Sequence, residues 1–258
     1  DIAYLIRYDS VHGVAPFTVD VEGDHLVLGS EKVAILSEKD PANLPWKALG
    51  VDIVLECTGL FRKRQNVVRH LDAGASKVII SAPSDDADLT VVMGVNEGSY
   101  DAQKHHIISC ASCTTNSLAP VVKVLNDVFG VENLMVTTIH AYTSSQAMVD
   151  RPARKKRRGR AAAVSLIPTT TGAAKATGLV IPELKGKMNA IAIRVPLPDG
   201  AITDIVAYLK KDVRAEDVNE ELKKAALGKL KGILGYTEEE IVSADIIGSS
   251  YSGIVDGT

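Results

Sequence analysis

Short runs of apolar, β-branched residues alternate with helical patterns in the first half of the chain, and this alternation limits the folds open to it. The runs are VDIVLE at 51–56, KVIIS at 77–81, LTVVM at 89–93 and HIIS at 106–109. Between the first two runs, residues 65–75 place Val67, Val68 and Leu71 at helical spacing before a glycine. Alternation of strand, helix and strand is typical of a mostly parallel sheet in an α/β domain.

Residues 15–42 show short alternating runs that predict antiparallel hairpins.

The second half of the chain has longer predicted elements. An amphipathic helix is predicted to follow residue 113 and to end at Gly130. The later predictions are strands at 134–141, 188–195 and 201–209 and a helix at 215–227. We therefore expect an α+β domain with a mainly antiparallel sheet, and we place the domains at 1–112 and 113–258.

The composition excludes several classes of protein. The chain has 258 residues, of which 46% are hydrophobic and 24% charged, enough for one large domain or two ordinary ones. A net charge of −3 gives no general attraction for nucleic acid or anionic membranes, and no apolar run is long enough to cross a bilayer. Three cysteines form no disulfide framework, which favours the reducing cytoplasm. The opening DIAYLIRYDSVHG lacks Met and resembles the end of a helix, so we expect a fragment of a longer protein.

The segment SCASCTTNS at 109–117 contains the strongest candidate nucleophile. Cys113 follows a predicted strand and opens a predicted helix, where backbone N–H groups and the helix dipole stabilise a thiolate. Two other interpretations of the Cys110–Cys113 spacing are a metal pair and a redox pair. Zinc needs a second pair of ligands, and Cys57 is the only other cysteine, so we expect no metal site. A regulatory disulfide between Cys110 and Cys113 stays open.

His140 is the candidate partner of the nucleophile. It ends the apolar run LMVTTIHA and precedes a long polar loop, and strand ends that face a cleft often carry functional groups. A lone histidine in this position is also compatible with a purely structural, hydrogen-bonded role. An activated cysteine needs an imidazole that is near in space rather than in sequence, which favours the catalytic interpretation.

Several segments have the residue types that bind phosphate. The loop RPARKKRRGR at 151–160 has seven Lys or Arg residues, PTTTGAAKATG at 168–178 places hydroxyls and a glycine before a helix, and Arg194 interrupts an apolar strand. Guanidinium groups and helix N-termini suit phosphate, and a charge within an apolar strand needs an anionic partner. The basic loop has no interleaved aromatic residues, so nucleic-acid binding is the weaker interpretation.

Together these motifs resemble the phosphorylating glyceraldehyde-3-phosphate dehydrogenase family. The resemblance covers nearly the whole chain, and its most specific elements are ASCTTN followed by HAYT, then RRGRAAA, PTTTGAAKA and AIRVP. It implies a partial Rossmann-like NAD(P)-binding domain followed by an α+β catalytic domain, a homotetramer and a cytoplasmic location. The glycine fingerprint GxGxxG is absent from these residues, so the resemblance implies that it lies before residue 1.

The resemblance also implies roles for individual residues. Cys113 is expected to attack the aldehyde and His140 to act as its base. The residues expected to bind the substrate phosphate or inorganic phosphate are Ser112, Thr114, Thr143, Arg158, Thr171, Gly172 and Arg194. Those expected to contact the cofactor are Thr58, Gly59, Phe61 and Ser81.

Some positions depart from the family pattern and leave alternatives open. Position 110 is Cys where Asn is usual, and Ser117 replaces a second helix cysteine. Pro152 matches the pattern of NAD-using members, whereas Arg151 favours the 2′-phosphate of NADP, so the cofactor is expected to be NAD or NADP. The alternative functions are an erythrose-4-phosphate dehydrogenase and a catalytically inactive fragment that acts only in assembly.

Overall fold

The computed structural model describes residues 1–258, and the chain begins with small elements at its surface. They are α1 (Ile2–Arg7), β1 (Tyr8–Asp9), β2 (Gly13–Val14), β3 (Val19–Glu22), β4 (His25–Leu28) and β5 (Glu31–Ala34). Strands β3, β4 and β5 pair in order and antiparallel, which confirms the hairpins expected within 15–42.

A parallel sheet with one covering helix follows. Its elements are β6 (Ile53–Glu56), α2 (Arg64–Asp72), β7 (Lys77–Ile80), β8 (Leu89–Thr90) and β9 (Ile107–Ser109). The strand order is β6-β7-β9-β8 and every pairing is parallel, as the sequence predicts. The run LTVVM forms only two residues of strand. After it the chain turns, and the Asn96 side chain accepts from the Val92 N–H and donates to the Thr90 carbonyl.

The remaining elements form the second part of the molecule. They are α3 (Cys113–Phe129), β10 (Val131–Ala141), β11 (Ile167–Thr170), α4 (Ala173–Val180), β12 (Met188–Val195), β13 (Ala201–Leu209), α5 (Ala215–Leu227), β14 (Leu234–Thr237) and β15 (Gly253–Asp256). Short 3-10 turns lie at 41–43, 97–99, 156–159, 182–184 and 243–246. The helix predicted at 215–227 and the strands predicted at 188–195 and 201–209 have the predicted bounds.

The large sheet of this part is mixed. Its order is β11-β12-β10-β13, and two of its three pairings are antiparallel, in agreement with a mainly antiparallel sheet. The central pair, β10 and β12, is parallel because β11 and α4 together return the chain to the end of the sheet from which β10 starts. This parallel register places His140 directly beside Arg194.

Two separate apolar cores support the two sheets. One joins α3 to the large sheet, with Leu118 and Val122 of the helix packed on Leu134 and Val136. Each such fully buried side chain contributes about 1.5–3 kcal/mol. The other core lies between α2 and the parallel sheet and is built around Val67, Val78, Ile80 and Ile107. None of the helices combines the length and the apolarity that a membrane crossing requires.

Candidate active site

The connection from β9 to α3 places Cys113 at the start of a 17-residue helix. Ala111, fully buried, has a φ of 58°, the one positive value at a non-glycine residue, and its N–H donates to Ser109 Oγ at 3.1 Å. Ser112 then caps the helix, because its Oγ accepts from the Thr115 N–H at 3.2 Å. The sharp turn at Ala111 thus aims the first N–H groups of α3, and the Cys113 thiol with them, at the cleft beside the parallel sheet.

Cys113 and His140 form a hydrogen-bonded pair. The distance between Cys113 Sγ and His140 Nε2 is 3.2 Å. This bond lowers the pKa of the Cys113 thiol to about 7, helped by the backbone N–H and the hydroxyl of Thr114, against partial burial, which acts in the other direction. A substantial fraction of Cys113 is therefore thiolate, the nucleophilic form, at neutral pH.

The second nitrogen of the His140 ring is also held. Nδ1 lies 2.8 Å from the Ala141 carbonyl oxygen and 2.9 Å from Arg194 Nη1, and Arg194 Nη1 donates to the same carbonyl at 2.8 Å. A guanidinium only donates, so Arg194 favours an Nδ1 without a proton, whereas the carbonyl favours an Nδ1 with one. Both arrangements keep Nε2 directed at Cys113, and the neighbours on β10 and β12 fix the orientation of the ring.

Two arginines near the pair lack a carboxylate partner. Arg194 makes no ion pair, and its buried Nε has no hydrogen-bond acceptor. Burial lowers the pKa of Arg194, and the nearby charge of Arg158 lowers it further. Arg158 contacts only neutral oxygens, with Nη1 at 3.0 Å from Ser145 Oγ and Nε at 3.2 Å from Thr169 Oγ1. Two uncompensated cations with a free buried donor are the features expected of an anion site.

The hydroxyl groups predicted to bind phosphate are divided among different partners. Thr143 Oγ1 lies 2.8 Å from Ser145 Oγ, the serine that also accepts from Arg158. Thr171 Oγ1 accepts from the Ala173 N–H at 3.2 Å and Gly172 caps α4, so these two lie at a helix N-terminus. Thr114 is buried in the first turn of α3, next to Cys113 in the chain. The structure therefore joins Thr143 with Arg158 through Ser145, and it places Thr114 beside Cys113 at the start of α3.

A cleft of about 330 Å³ opens beside Cys113, where β6, β7 and β9 end at their carboxyl ends. Leu55 and Ile79 form an apolar wall. The lining residues are Leu55, Cys57, Ile79, Ser81, Cys110, Ala111, Ser112, Cys113 and Asn116. Ligands of parallel α/β sheets bind at this edge, and an apolar wall next to a reactive thiol suits a flat heteroaromatic ring.

Of the four residues expected to contact a cofactor, Ser81 lines this cleft. Thr58 and Gly59 lie in the exposed turn after β6, where Gly59 has a φ of 73° and open space around it. Phe61 is half-buried and its ring lies edge-on to His70, with 6.4 Å between centroids.

Sequence reasoning did not find several residues that shape the site. Ser145 and Thr169 hold Arg158, and the buried Glu56 and His70 lie below the turn that carries Thr58. A signal for Glu56 was available, because a carboxylate in the apolar run VDIVLE needs buried partners. The contacts of Ser145 and Thr169 depend on loop geometry that leaves no pattern in the sequence. No cluster of three or more His, Cys, Asp or Glu side chains has metal-binding geometry, and all three cysteines are free.

Comparison with known proteins identifies the family. Residues 112–258 match the model of the glyceraldehyde 3-phosphate dehydrogenase C-terminal domain, and residues 1–64 match that of its NAD-binding domain. The chain is 54% identical over 255 residues to the glyceraldehyde-3-phosphate dehydrogenase of Geobacillus stearothermophilus and 55% identical over 255 residues to that of Priestia megaterium. A glyceraldehyde-3-phosphate dehydrogenase of Bacillus subtilis is 54% identical over the same length. Each match covers 99% of this chain and 76% of the relative. The chain therefore belongs to the glyceraldehyde-3-phosphate dehydrogenase family.

Proposed function

We propose that the protein oxidises glyceraldehyde 3-phosphate with NAD and inorganic phosphate and releases 1,3-bisphosphoglycerate, a step of glycolysis. The observation that carries the proposal is the Cys113–His140 pair beside an arginine with no counter-ion. The family relationship supports the same reaction. The phosphorylated aldehyde supplies both groups that such a site needs, an electrophilic carbon for the thiolate and an anion for the guanidinium.

Cys113 is the proposed nucleophile. Its thiolate attacks the aldehyde carbon and forms a hemithioacetal, whose oxygen faces the N–H groups at the start of α3. Loss of hydride from this carbon leaves a thioester on Cys113. Inorganic phosphate then attacks the thioester carbonyl, the thiolate departs, and the acyl phosphate is released.

His140 is the proposed acid–base group. Its protonated Nε2, 3.2 Å from the sulfur, stabilises the thiolate before attack, gives this proton to the hemithioacetal oxygen, and takes it back as hydride leaves. Imidazole suits this role because it gains and loses protons near neutral pH. The contacts of Nδ1 with Ala141 and Arg194 keep the ring oriented during both steps.

The anion-binding residues divide into two proposed sites. Arg194 and Thr143 are assigned to the phosphate of the aldehyde, with the free Nε of Arg194 as an available donor. Ser112, Thr114, Arg158, Thr171 and Gly172 are assigned to inorganic phosphate. The helix N-terminus at Gly172 and the uncompensated charge of Arg158 support the second site.

The cleft beside Cys113 fits the nicotinamide end of the cofactor, because it pairs apolar walls with the reactive thiol. NAD, when bound, supplies the acceptor for the hydride. Ser81 is assigned to the cofactor from within the cleft, and Thr58, Gly59 and Phe61 from the turn above β6. Arg151 is exposed and suits the 2′-phosphate of NADP, so NADP is the second cofactor to compare.

We also propose a homotetramer, on the evidence of an apolar sheet face. The register of β10, β12 and β13 places five exposed side chains on the face opposite α3, namely Met135, Ile191, Ile202, Val206 and Tyr208. Exposed apolar side chains on one sheet face, here interrupted by Asp204, are typical of a surface where subunits meet, and the number of four subunits follows the family resemblance. The separate core of the parallel sheet supports the proposed division into domains at 1–112 and 113–258, although Val92 and Ala111 pack into the core of α3 and the large sheet. The three free thiols accord with the cytoplasm.

The reaction is tested by following NADH formation with the purified protein. We expect turnover with glyceraldehyde 3-phosphate that depends on inorganic phosphate. Faster turnover of erythrose 4-phosphate, or turnover independent of phosphate, would contradict the assignment. A complete absence of turnover would instead favour a role in assembly alone.

A further inference from the structure

A buried chain of hydrogen bonds lies beneath the turn that follows β6. Glu56 is 3% exposed and His70 is 4% exposed, and 3.2 Å separate Glu56 Oε2 from His70 Nε2. Buried charged groups are retained only where their hydrogen bonds are satisfied. None of the roles assigned above uses either residue, although Glu56 is bonded to Thr58 and the His70 ring lies edge-on to Phe61, both proposed cofactor contacts.

In this series of hydrogen bonds, the groups at the two ends determine which atom donates and which accepts at each step. The Trp46 indole N–H only donates, and it contacts His70 Nδ1 at 3.1 Å, so Nδ1 is an acceptor. His70 therefore has its proton on Nε2 and donates it to Glu56. The other carboxylate oxygen of Glu56 accepts from the Thr58 N–H at 2.8 Å and from the Thr58 hydroxyl.

The last link reaches the surface. Thr58 Oγ1 accepts from the Leu60 N–H at 3.1 Å, which closes the turn around Gly59. The turn itself is exposed, so the chain of hydrogen bonds from Trp46 is what connects its shape to the core. A change of tautomer at His70 would reach Thr58, because Glu56 is the hydrogen-bond partner of both residues.

We propose that Trp46, His70 and Glu56 are positioning residues that hold the Thr58–Gly59 turn in the shape that binds NAD. This inference rests on the proposed function and adds to it a set of residues that do not touch the cofactor. The proposal requires a fixed order of donors and acceptors from Trp46 to Thr58, which simple packing of a buried pair does not require.

The substitution Glu56→Gln tests that order without changing size. If the new amide oxygen faces Thr58, the amide NH₂ faces His70 Nε2 and forces the ring proton onto Nδ1, against the Trp46 N–H. If the amide is reversed, its NH₂ meets the Thr58 N–H. One hydrogen bond is lost either way, and we expect the Kd for NAD, measured by calorimetry, to rise about tenfold.

A second substitution should rescue the first. Trp46→Phe keeps an aromatic ring next to His70 but removes the N–H, so the His70 proton is free to move to Nδ1. We expect Trp46→Phe alone to raise the Kd for NAD by less than Glu56→Gln does, because either tautomer of His70 is then allowed. We expect the double variant W46F/E56Q to bind NAD more tightly than Glu56→Gln alone. A purely structural role predicts that the two losses add.

Trp46 also gives a readout that needs no cofactor, because it is the only tryptophan in the chain. We expect Glu56→Gln to change its fluorescence emission, and the control Glu132→Gln, an exposed glutamate without side-chain hydrogen bonds, to leave both emission and NAD affinity unchanged. Unchanged NAD affinity in Glu56→Gln, or additive losses in the double variant, would overturn the inference. Failure of the unaltered protein to bind NAD would overturn the proposed function as well.

Discussion

Cys113 and His140 lie 27 positions apart in the chain, and their side chains meet with 3.2 Å between Sγ and Nε2. The cysteine comes from the first turn of α3 and the histidine from the end of β10. The packing of α3 on the large sheet brings them together, because Leu118 and Val122 bury the same helix against Leu134 and Val136. The core of the second part of the molecule therefore sets the geometry of the proposed catalytic pair.

The two cysteines of the CxxC segment are expected to differ in function. Cys113→Ser should abolish dehydrogenase activity, because a hydroxyl beside His140 is far less nucleophilic than a thiolate. Cys110→Ser should largely spare it, since burial raises the pKa of the Cys110 thiol and keeps it protonated. The measurement is NADH formation at saturating substrate. Equal losses from the two variants would indicate a functional thiol pair instead.

The reactivity of Cys113 should follow its pKa. Alkylation by iodoacetamide requires the thiolate, so its rate should rise with pH through a midpoint near 7. In His140→Asn the main cause of the lowered pKa is absent, and the midpoint should move up toward the ordinary value of 9.0. Mass spectrometry of the alkylated peptide distinguishes Cys113 from the other two thiols. A midpoint that stays near 7 in the variant would show that the helix and Thr114, rather than His140, stabilise the thiolate.

Arg194 is expected to determine affinity for the aldehyde. Arg194→Leu should reduce kcat/KM for glyceraldehyde 3-phosphate about 10- to 100-fold, the value of a charge-assisted hydrogen bond of about 1.5–3 kcal/mol. The matched control is Arg157→Ala, which removes an exposed arginine of the basic loop that has no side-chain contact. Similar losses in the two variants would mean that the general positive charge of the region, rather than a specific site, attracts the substrate.

Arg158 should affect the second half of the reaction. In Arg158→Ala the KM for inorganic phosphate should rise by about tenfold or more, while the first burst of NADH, which precedes phosphate attack, should keep its amplitude. Rapid-mixing measurements separate the burst from the steady rate. A lost burst with an unchanged KM for phosphate would assign Arg158 to the aldehyde instead.

Local patterns in the sequence were enough to predict most of the elements. The helix at 215–227 and the strands at 188–195 and 201–209 have the bounds that apolar periodicity indicates, because each buries one face against a core. The predicted strand at 89–93 was too long: β8 covers two residues, and the chain then turns with the Asn96 side chain bonded to the Val92 N–H and the Thr90 carbonyl. The parallel pairing of β10 with β12 could not be predicted from a local pattern either, since it depends on the path of the chain between the two strands.

The sequence by itself determined the chemistry available to the protein: a cysteine at a helix start, a histidine at a strand end and arginines without local counter-charges, each recognisable from its immediate neighbours. Only the tertiary structure decided which of these groups meet. It placed His140 on Cys113, set Arg194 beside His140 through strand register, and connected Trp46 to Thr58 through His70 and Glu56. The physical reason is that periodicity and capping act over a few residues, whereas a hydrogen bond across a cleft depends on how distant elements pack.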